Sequence, residues 1–272
     1  MIKRLVAYGC SQTAALETND NELMPELVHI KKQQGAMAFL QEVKKRIPEF
    51  NLAEYLDTQK ENSYANLLAT RLGLECSNRA VSGDSNSSML WKIDQDIVNG
   101  NIKDDDLVIV GITSRERILH FEKNNIISIM LGYPDTWGNV FHKSFLNYHN
   151  SEMNAFNLTK DLRSLMYIGK TKLLNRLFFV ETHPYFLNID LSDWEKTNGG
   201  TDIADYARGV LTHIYTEIKT SGSLINDQGV TLITGLGQHP TGQLAGGHAT
   251  TNWHKMYAEH LVKNMKEKLL LL

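Results

Sequence analysis

The chain has 272 residues, 42% of them hydrophobic and 22% charged, with a formal net charge of −3. That length is enough to bury a substantial core, and the composition is ordinary for a globular protein. No basic excess points to nucleic acid; Lys44, Lys45 and Arg46 form only a short run, read as the solvated face of a helix. No apolar stretch approaches the ~20 residues that a membrane-spanning helix needs. The start, MIKRLVAYGC, has an apolar part too short for a secretory signal. Cys10 and Cys76 show neither metal-ligand spacing nor a disulfide framework, so a reducing, cytoplasmic setting is expected.

In chain order, Leu5 to Tyr8 is a short apolar run suited to a buried parallel strand, and Gly9-Cys10-Ser11 follows it. Residues 12 to 35 are polar and irregular, and Ala36 to Arg46 reads as a helix. Ser63 to Leu72 is a better one, with Tyr64, Leu67, Leu68 and Leu72 at helical spacing and Gly73 as its stop. Glu75 to Val81 is a second strand, ended by Ser82-Gly83-Asp84, and Ser87 to Val98 is again helical. Leu107 to Val110 is the clearest buried strand, followed by Gly111-Ile112-Thr113-Ser114. Residues 115 to 172 are rich in Asn, His and aromatics, with helical propensity after about Glu152. Leu177 to Val180 and Val230 to Thr234 complete five strands, with a helix expected over Ile203 to Lys219 between them. The last helix carries Trp253, Met256, Tyr257, His260, Leu261 and Met265 on one face. Strands alternating with helices predict a mostly parallel sheet covered on both sides. Ligands in such sheets bind beyond the carboxyl ends of the strands, where Ser11, Gly83 and Thr113 should share one rim.

Each of these rim residues has a plain and a chemical reading. Ser11 could cap a helix, or act as a nucleophile paired with His248 at the start of the last helix. Gly83 could be a turn glycine, or one that lets a backbone N–H approach a ligand closely. The hydroxyls of Thr113 and Ser114 could donate to an oxyanion or cap the next element, and Asn86 lies close enough in sequence to Gly83 to serve the same hole. Asp84 reads as the cap of the following helix. His239 is the rival base, but a Gly-rich stretch follows it instead of a helix. His254 reads as helix packing or a supporting hydrogen bond. Cys10 is a conceivable thiol nucleophile, though a buried structural cysteine is the commoner case.

The order and context of these blocks resemble the SGNH (GDSL-type) hydrolases. The first block of that family is Gly-Asp-Ser after a strand; here it is the Gly-Cys-Ser variant, Gly9-Cys10-Ser11. NRAVSGDSN resembles the second block and places Gly83 at its oxyanion glycine, and the helix SYANLLATRLGL before it is also similar. GGHATTNWHKMYAEHL resembles the fifth block, with His248 as base, His254 at a second histidine of the helix and Tyr257-Ala258 where Trp-Ala is common. Two departures stand out. Thr113 occupies the place of the asparagine in the Gly-x-Asn-Asp third block, and Ala245, three residues before His248, replaces the expected aspartate.

The resemblance implies a three-layer, flavodoxin-like α/β fold with a central parallel sheet of about five strands. It implies a single domain over 1–272, with an inserted segment at about 115–175. The implied reaction is hydrolysis of a small-molecule or carbohydrate ester by Ser11 and His248, with an oxyanion hole from Gly83 assisted by Asn86, Thr113 or Ser114. His239 and His254 would support the pair, and no cofactor or metal is called for. Acyl transfer would use the same residues. A hydrolase-like binding or structural module is the alternative. A nucleotide-binding doubly wound protein fits less well, because YGCSQTAA lacks both the G-x-G-x-x-G pattern and a P-loop lysine.

Overall fold

The computed structural model describes residues 2–10, 13–15, 27, 30, 33–34, 36–113, 117–122, 125–130, 151–181, 230–233 and 249–269. Five strands form one sheet: β1 (Arg4–Tyr8), β2 (Glu75–Asn78), β3 (Asp106–Ile112), β6 (Leu177–Glu181) and β7 (Val230–Ile233). Their spatial order is β2-β1-β3-β6-β7, and every pairing is parallel. Counted along the chain within this sheet, that is the order 2-1-3-4-5, the flavodoxin-like arrangement whose direction of winding reverses between β1 and β3. The expected three-layer α/β architecture with five parallel strands is therefore observed.

Alternation along the strands divides the core in two. Leu5, Ala7, Leu107, Ile109, Phe178 and Val180 face one way and pack on α3 (Tyr64–Leu72) and α6 (Thr251–Leu269), through Tyr64, Leu68, Trp253, Tyr257 and Leu261. Val6, Tyr8, Val108, Val110, Ile112, Leu177 and Phe179 face the other way, onto α4 (Asn86–Val98) and α5 (Ser151–Thr171). Strands buried on both faces must read as continuous apolar runs, which is why LVAY, LVIV and LFFV stand out in the sequence. α5 supplies Leu158, Leu162, Leu165 and Met166 to that second core. The latter half of the stretch read as an insertion is thus a covering layer of the sheet. α1 (Ala36–Arg46) packs Phe39 and Val43 with Leu27 in a separate small cluster.

The edge of the sheet away from the site is fixed by two arginines. Arg4 donates through Nε (2.9 Å) and Nη2 (2.5 Å) to the buried Asp106 carboxylate, which also accepts from the Lys103 N–H at 2.7 Å. Arg176 donates to the carbonyls of Leu173, Lys103, Asp104 and Asp106. No helix among the described residues is long and apolar enough to cross a membrane.

Several elements differ from their sequence expectation. β2 ends at Asn78 instead of Val81, although the N–H groups of Arg79 and Val81 still donate to the Ala7 and Gly9 carbonyls at 2.8 and 3.0 Å. α2 (Leu52–Glu61) and the antiparallel pair β4 (Arg117–Glu122) and β5 (Asn125–Met130) were not expected. The helix expected over 203–219, and residue 234 of the fifth strand, lie outside the described residues.

One packing detail has a pH consequence. Asp161 of α5 is buried, and Ser87 of α4 donates its hydroxyl to the Asp161 carboxyl across the helix pair. Burial pushes this carboxyl above the ordinary aspartate range, with the Ser87 hydrogen bond and Lys160 opposing it. A raised carboxyl binds its proton in the folded state over a pH interval where the unfolded chain has released it. Stability from this group is therefore greatest below the ordinary value of about 3.9 and falls as pH rises through the raised one. Asp161→Asn removes that titration. Urea midpoints measured between about pH 4 and pH 7 should show the variant gaining on the wild type as pH rises; parallel curves would exclude the effect.

Candidate functional site

Winding reverses between β1 and β3, and in sheets of this order ligands bind beyond the carboxyl ends of the strands at that point. Three chain segments meet there: the loop after β1, the turn between β2 and α4, and the residue that follows β3.

Beyond β1, the Ala14 N–H donates to the Cys10 carbonyl at 3.0 Å and closes a turn. This turn carries the Thr13 hydroxyl back over Gly9. A Cβ at Gly9 would overlap the Thr13 Oγ1 and Cβ atoms, so the position requires glycine. Thr13 is fully buried; its Oγ1 bonds the Tyr64 hydroxyl at 2.9 Å, and its carbonyl accepts from Asn78 Nδ2 at 2.9 Å. Asn78 Nδ2 also donates to Ser63 Oγ (3.0 Å). On the opposite side, Tyr8 donates its hydroxyl to Asp96 at 2.5 Å, and Arg79 pairs with the same carboxylate. Burial raises the Asp96 carboxyl, but the bonds from Tyr8, Asn101 and Arg79 together hold it below the ordinary aspartate value.

The turn after β2 is closed by the Asp84 N–H donating to the Val81 carbonyl at 3.1 Å. Gly83, its third residue, has φ +82°, and no non-glycine residue of this turn has positive φ. That combination is a type II turn, which needs glycine at this place. The Gly83 N–H takes no part in the turn's own bond and has no hydrogen-bond partner among the described residues. The cap of α4 is Ser85, whose side chain accepts from the Ser88 N–H, and not Asp84 as expected. Asp84 is instead buried beneath the turn, accepting from Ser88 Oγ (2.7 Å) and Lys92 Nζ (2.5 Å). The N-terminus of α4, with its partial positive charge, thus stands at the rim.

Asn86, in the first turn of α4, joins this segment to β3. Its Oδ1 accepts from the Thr113 N–H at 3.1 Å, and its Nδ2 donates to the Thr113 carbonyl at 2.9 Å. A carboxamide has two N–H donors, and the second on Asn86 has no partner among the described residues. Thr113 Oγ1 is also buried without a partner among them. Gly83, Asn86 and Thr113 therefore present three uncommitted donors on two adjoining segments, beside a helix N-terminus. Such a group can bind negative charge that develops on an oxygen.

His254 is buried on α6, and its Nδ1 accepts the Tyr64 N–H at 3.3 Å. That bond requires a lone pair on Nδ1, so the proton of the neutral ring sits on Nε2. Cys10 is buried, and burial pushes the Cys76 thiol up to about 11, leaving it protonated. Ser11, Ser114, His239 and His248 lie outside the described residues, as does Ala245. Cys10 and Ala249, next to Ser11 and His248, are both fully buried. Sequence reasoning identified Gly83, Asn86, Thr113 and His254, but missed Thr13, Tyr64 and Asn78, whose side chains bind the loop together.

No protein-family model matches the sequence, and no curated protein does. Solved structures do. A family two carbohydrate esterase from Clostridium thermocellum superposes with a TM-score of 0.51 at 13% identity, over 99% of this chain and 65% of that one. The present chain thus spans about two thirds of that esterase's length. The esterase EstA from Pseudoalteromonas sp. has a TM-score of 0.47 at 11% identity, covering 98% of both chains. A lipolytic protein assigned to the G-D-S-L family, from Desulfitobacterium hafniense, has a TM-score of 0.46 at 10% identity, covering 96% of this chain and 99% of its own. At these identities the likeness concerns the fold alone: the chain shares the α/β fold of the carbohydrate esterase.

The uncommitted Thr113 hydroxyl gives a stability test. An unpaired buried hydroxyl is replaced at little or no cost by a methyl of the same shape. Thr113→Val should leave the protein as stable as the wild type, or more stable by up to about 1 kcal/mol. A loss of more than that on thermal or urea denaturation would show that the hydroxyl has a structural partner.

Proposed function

We propose that this chain is a serine-dependent ester hydrolase in which Ser11 is the nucleophile and His248 the base. The observation that carries the reading is the trio of spare donors, the Gly83 N–H, the Asn86 amide and the Thr113 hydroxyl, on the rim of an SGNH-type sheet. A buried donor without a partner, as the Thr113 hydroxyl is among the described residues, costs stability; a site that must stabilise an oxyanion is a physical reason to keep it.

In this reading His248 accepts the Ser11 hydroxyl proton as Oγ attacks the ester carbonyl. The resulting oxyanion is held by the N–H groups of Ser11 and Gly83 with Asn86 and Thr113. Collapse expels the alcohol, which takes the proton from His248. Water, deprotonated by His248, then attacks the acyl-serine and releases the acid. The reaction needs no cofactor. Small-molecule and carbohydrate esters are the substrate class we favour, the latter because a carbohydrate esterase shares the fold. The chain is read as one domain over 1–272.

Two experiments test this. A fluorophosphonate probe should label the wild type and fail to label Ser11→Ala, and hydrolysis of short-chain aryl esters should fall to background in that variant with its melting temperature unchanged. Activity near wild type in Ser11→Ala would point to another nucleophile. Thr113→Val should lose about 10²-fold or more in kcat, as loss of an oxyanion donor does.

The second experiment concerns the base. His248 is followed immediately by Ala249, buried in the core, and then by α6. His248→Ala should therefore abolish ester hydrolysis while His239→Ala retains it. The reverse result would show that the fifth block is misaligned. Loss in both would assign His239 to orienting the pair in place of the aspartate that Ala245 replaces.

A further inference from the structure

We infer that Tyr64 is a positioning residue that sets the distance between the nucleophile loop and the segment bearing the base; this rests on the reading of Ser11 and His248 given above. Tyr64 is the first residue of α3 and is fully buried. It touches both sides of the proposed pair. Toward the nucleophile loop, its hydroxyl bonds Thr13 Oγ1 at 2.9 Å, and Thr13 in turn is seated against Gly9, so this contact bears on residues on both sides of Ser11. Toward the base, its ring lies edge-on to Trp253 (6.3 Å, 85°) and Tyr257 (5.0 Å, 67°) and stacks on His254 (6.0 Å, 14°). Its backbone N–H donates to His254 Nδ1. Ala249, the neighbour of His248, is buried in the same cluster as Tyr64.

The two kinds of contact can be separated chemically. The ring and the N–H hold α6, and only the hydroxyl holds the loop. Burial pushes the Tyr64 phenol well above its ordinary value, so the hydroxyl keeps its proton at neutral pH. A nucleophile and base that must meet at about 2.6–3.2 Å tolerate little error in this separation. Displacement by about 1 Å costs on the order of 100-fold in rate. Other contacts on Thr13, chiefly the Asn78 bond to its carbonyl, limit how far the loop moves when the hydroxyl is lost.

Tyr64→Phe deletes the hydroxyl and keeps the ring. With p-nitrophenyl acetate as substrate, kcat should fall about 10- to 100-fold, while KM changes little and the melting temperature moves by only a few degrees. Fluorophosphonate labelling of Ser11 should slow by the same factor. Thr13→Ala should slow labelling to a similar extent and Thr13→Ser should restore it, because serine keeps the oxygen that Tyr64 bonds. The double variant Tyr64→Phe/Thr13→Ala should be no slower than the slower single variant, since both remove one contact. Labelling of Tyr64→Phe at the wild-type rate, or effects that multiply in the double variant, would overturn the inference. Should Tyr64→Phe fail to fold, the comparison of Thr13→Ala with Thr13→Ser decides. Ser11→Ala separates the two levels: if it labels like wild type, the serine-hydrolase reading fails; if it does not and Tyr64→Phe does, only the positioning role fails.

Discussion

A strand with a parallel neighbour on each side has no free edge, and β1 is such a strand, bonded to β2 along one side and to β3 along the other. Its end can shift only if both partners shift with it. The pairing continues past the strand proper, through the Val81 N–H on the Gly9 carbonyl, so the turn that carries Gly83 is tied to the loop that carries Cys10. Winding reverses between β1 and β3, so the segments that follow these two strands leave toward opposite faces of the sheet. The rim groups inherit their placement from this rigid centre of the sheet.

The hydrogen-bond accounting at the rim is uneven in an informative way. Groups that hold segments together are satisfied: Asn78 joins Thr13 to Ser63, Asp84 joins Ser88 to Lys92, and Tyr8 joins Asp96. The Thr113 hydroxyl, the Gly83 N–H and the second N–H of Asn86 have no partner among the described residues. A protein interior leaves few polar groups unpaired, so several spare donors on adjoining segments are hard to account for by packing. In the proposed reading, the residues that would weaken a purely structural rim would supply an electrostatic site whose reorganisation cost is met during folding.

Much of this was legible because burial on both faces writes itself into sequence as unbroken apolar runs. LVAY, LVIV and LFFV could be assigned to strands without knowing their partners, and Gly83 could be assigned to a turn from SGD alone. What escaped was whatever depends on contacts distant in sequence. Asp84 and Ser85 are both capping types; only the position of Lys92, one face down the helix, decides that Asp84 turns inward and Ser85 caps. β2 stops three residues early because it is an edge strand whose last amide side chain, Asn78, bends toward Thr13 and Ser63. α2 has little apolar signal, with Leu52 and Leu56 both exposed, and is set by its Asn51 cap. Tyr64 was visible as a core residue of a helix, but nothing in its spacing reveals that its hydroxyl reaches back 51 positions to Thr13.

The substitution in the third block follows from the same contacts. In this chain β3 runs through Ile112, and Thr113 is the first residue beyond it, where the backbone would leave the sheet with its N–H and carbonyl unpaired. Asn86 takes both, accepting from one and donating to the other, so a side-chain amide does for one residue what a neighbouring strand does for the rest. An amide is therefore present at this point of the rim, supplied by α4 instead of by β3. It holds the Thr113 backbone in place while keeping one N–H in reserve, and it leaves the Thr113 hydroxyl buried and unclaimed. The missing asparagine and the unexpected clasp are one arrangement. The amide on α4 bonds the Thr113 backbone, and that bond holds the two segments in position beside each other.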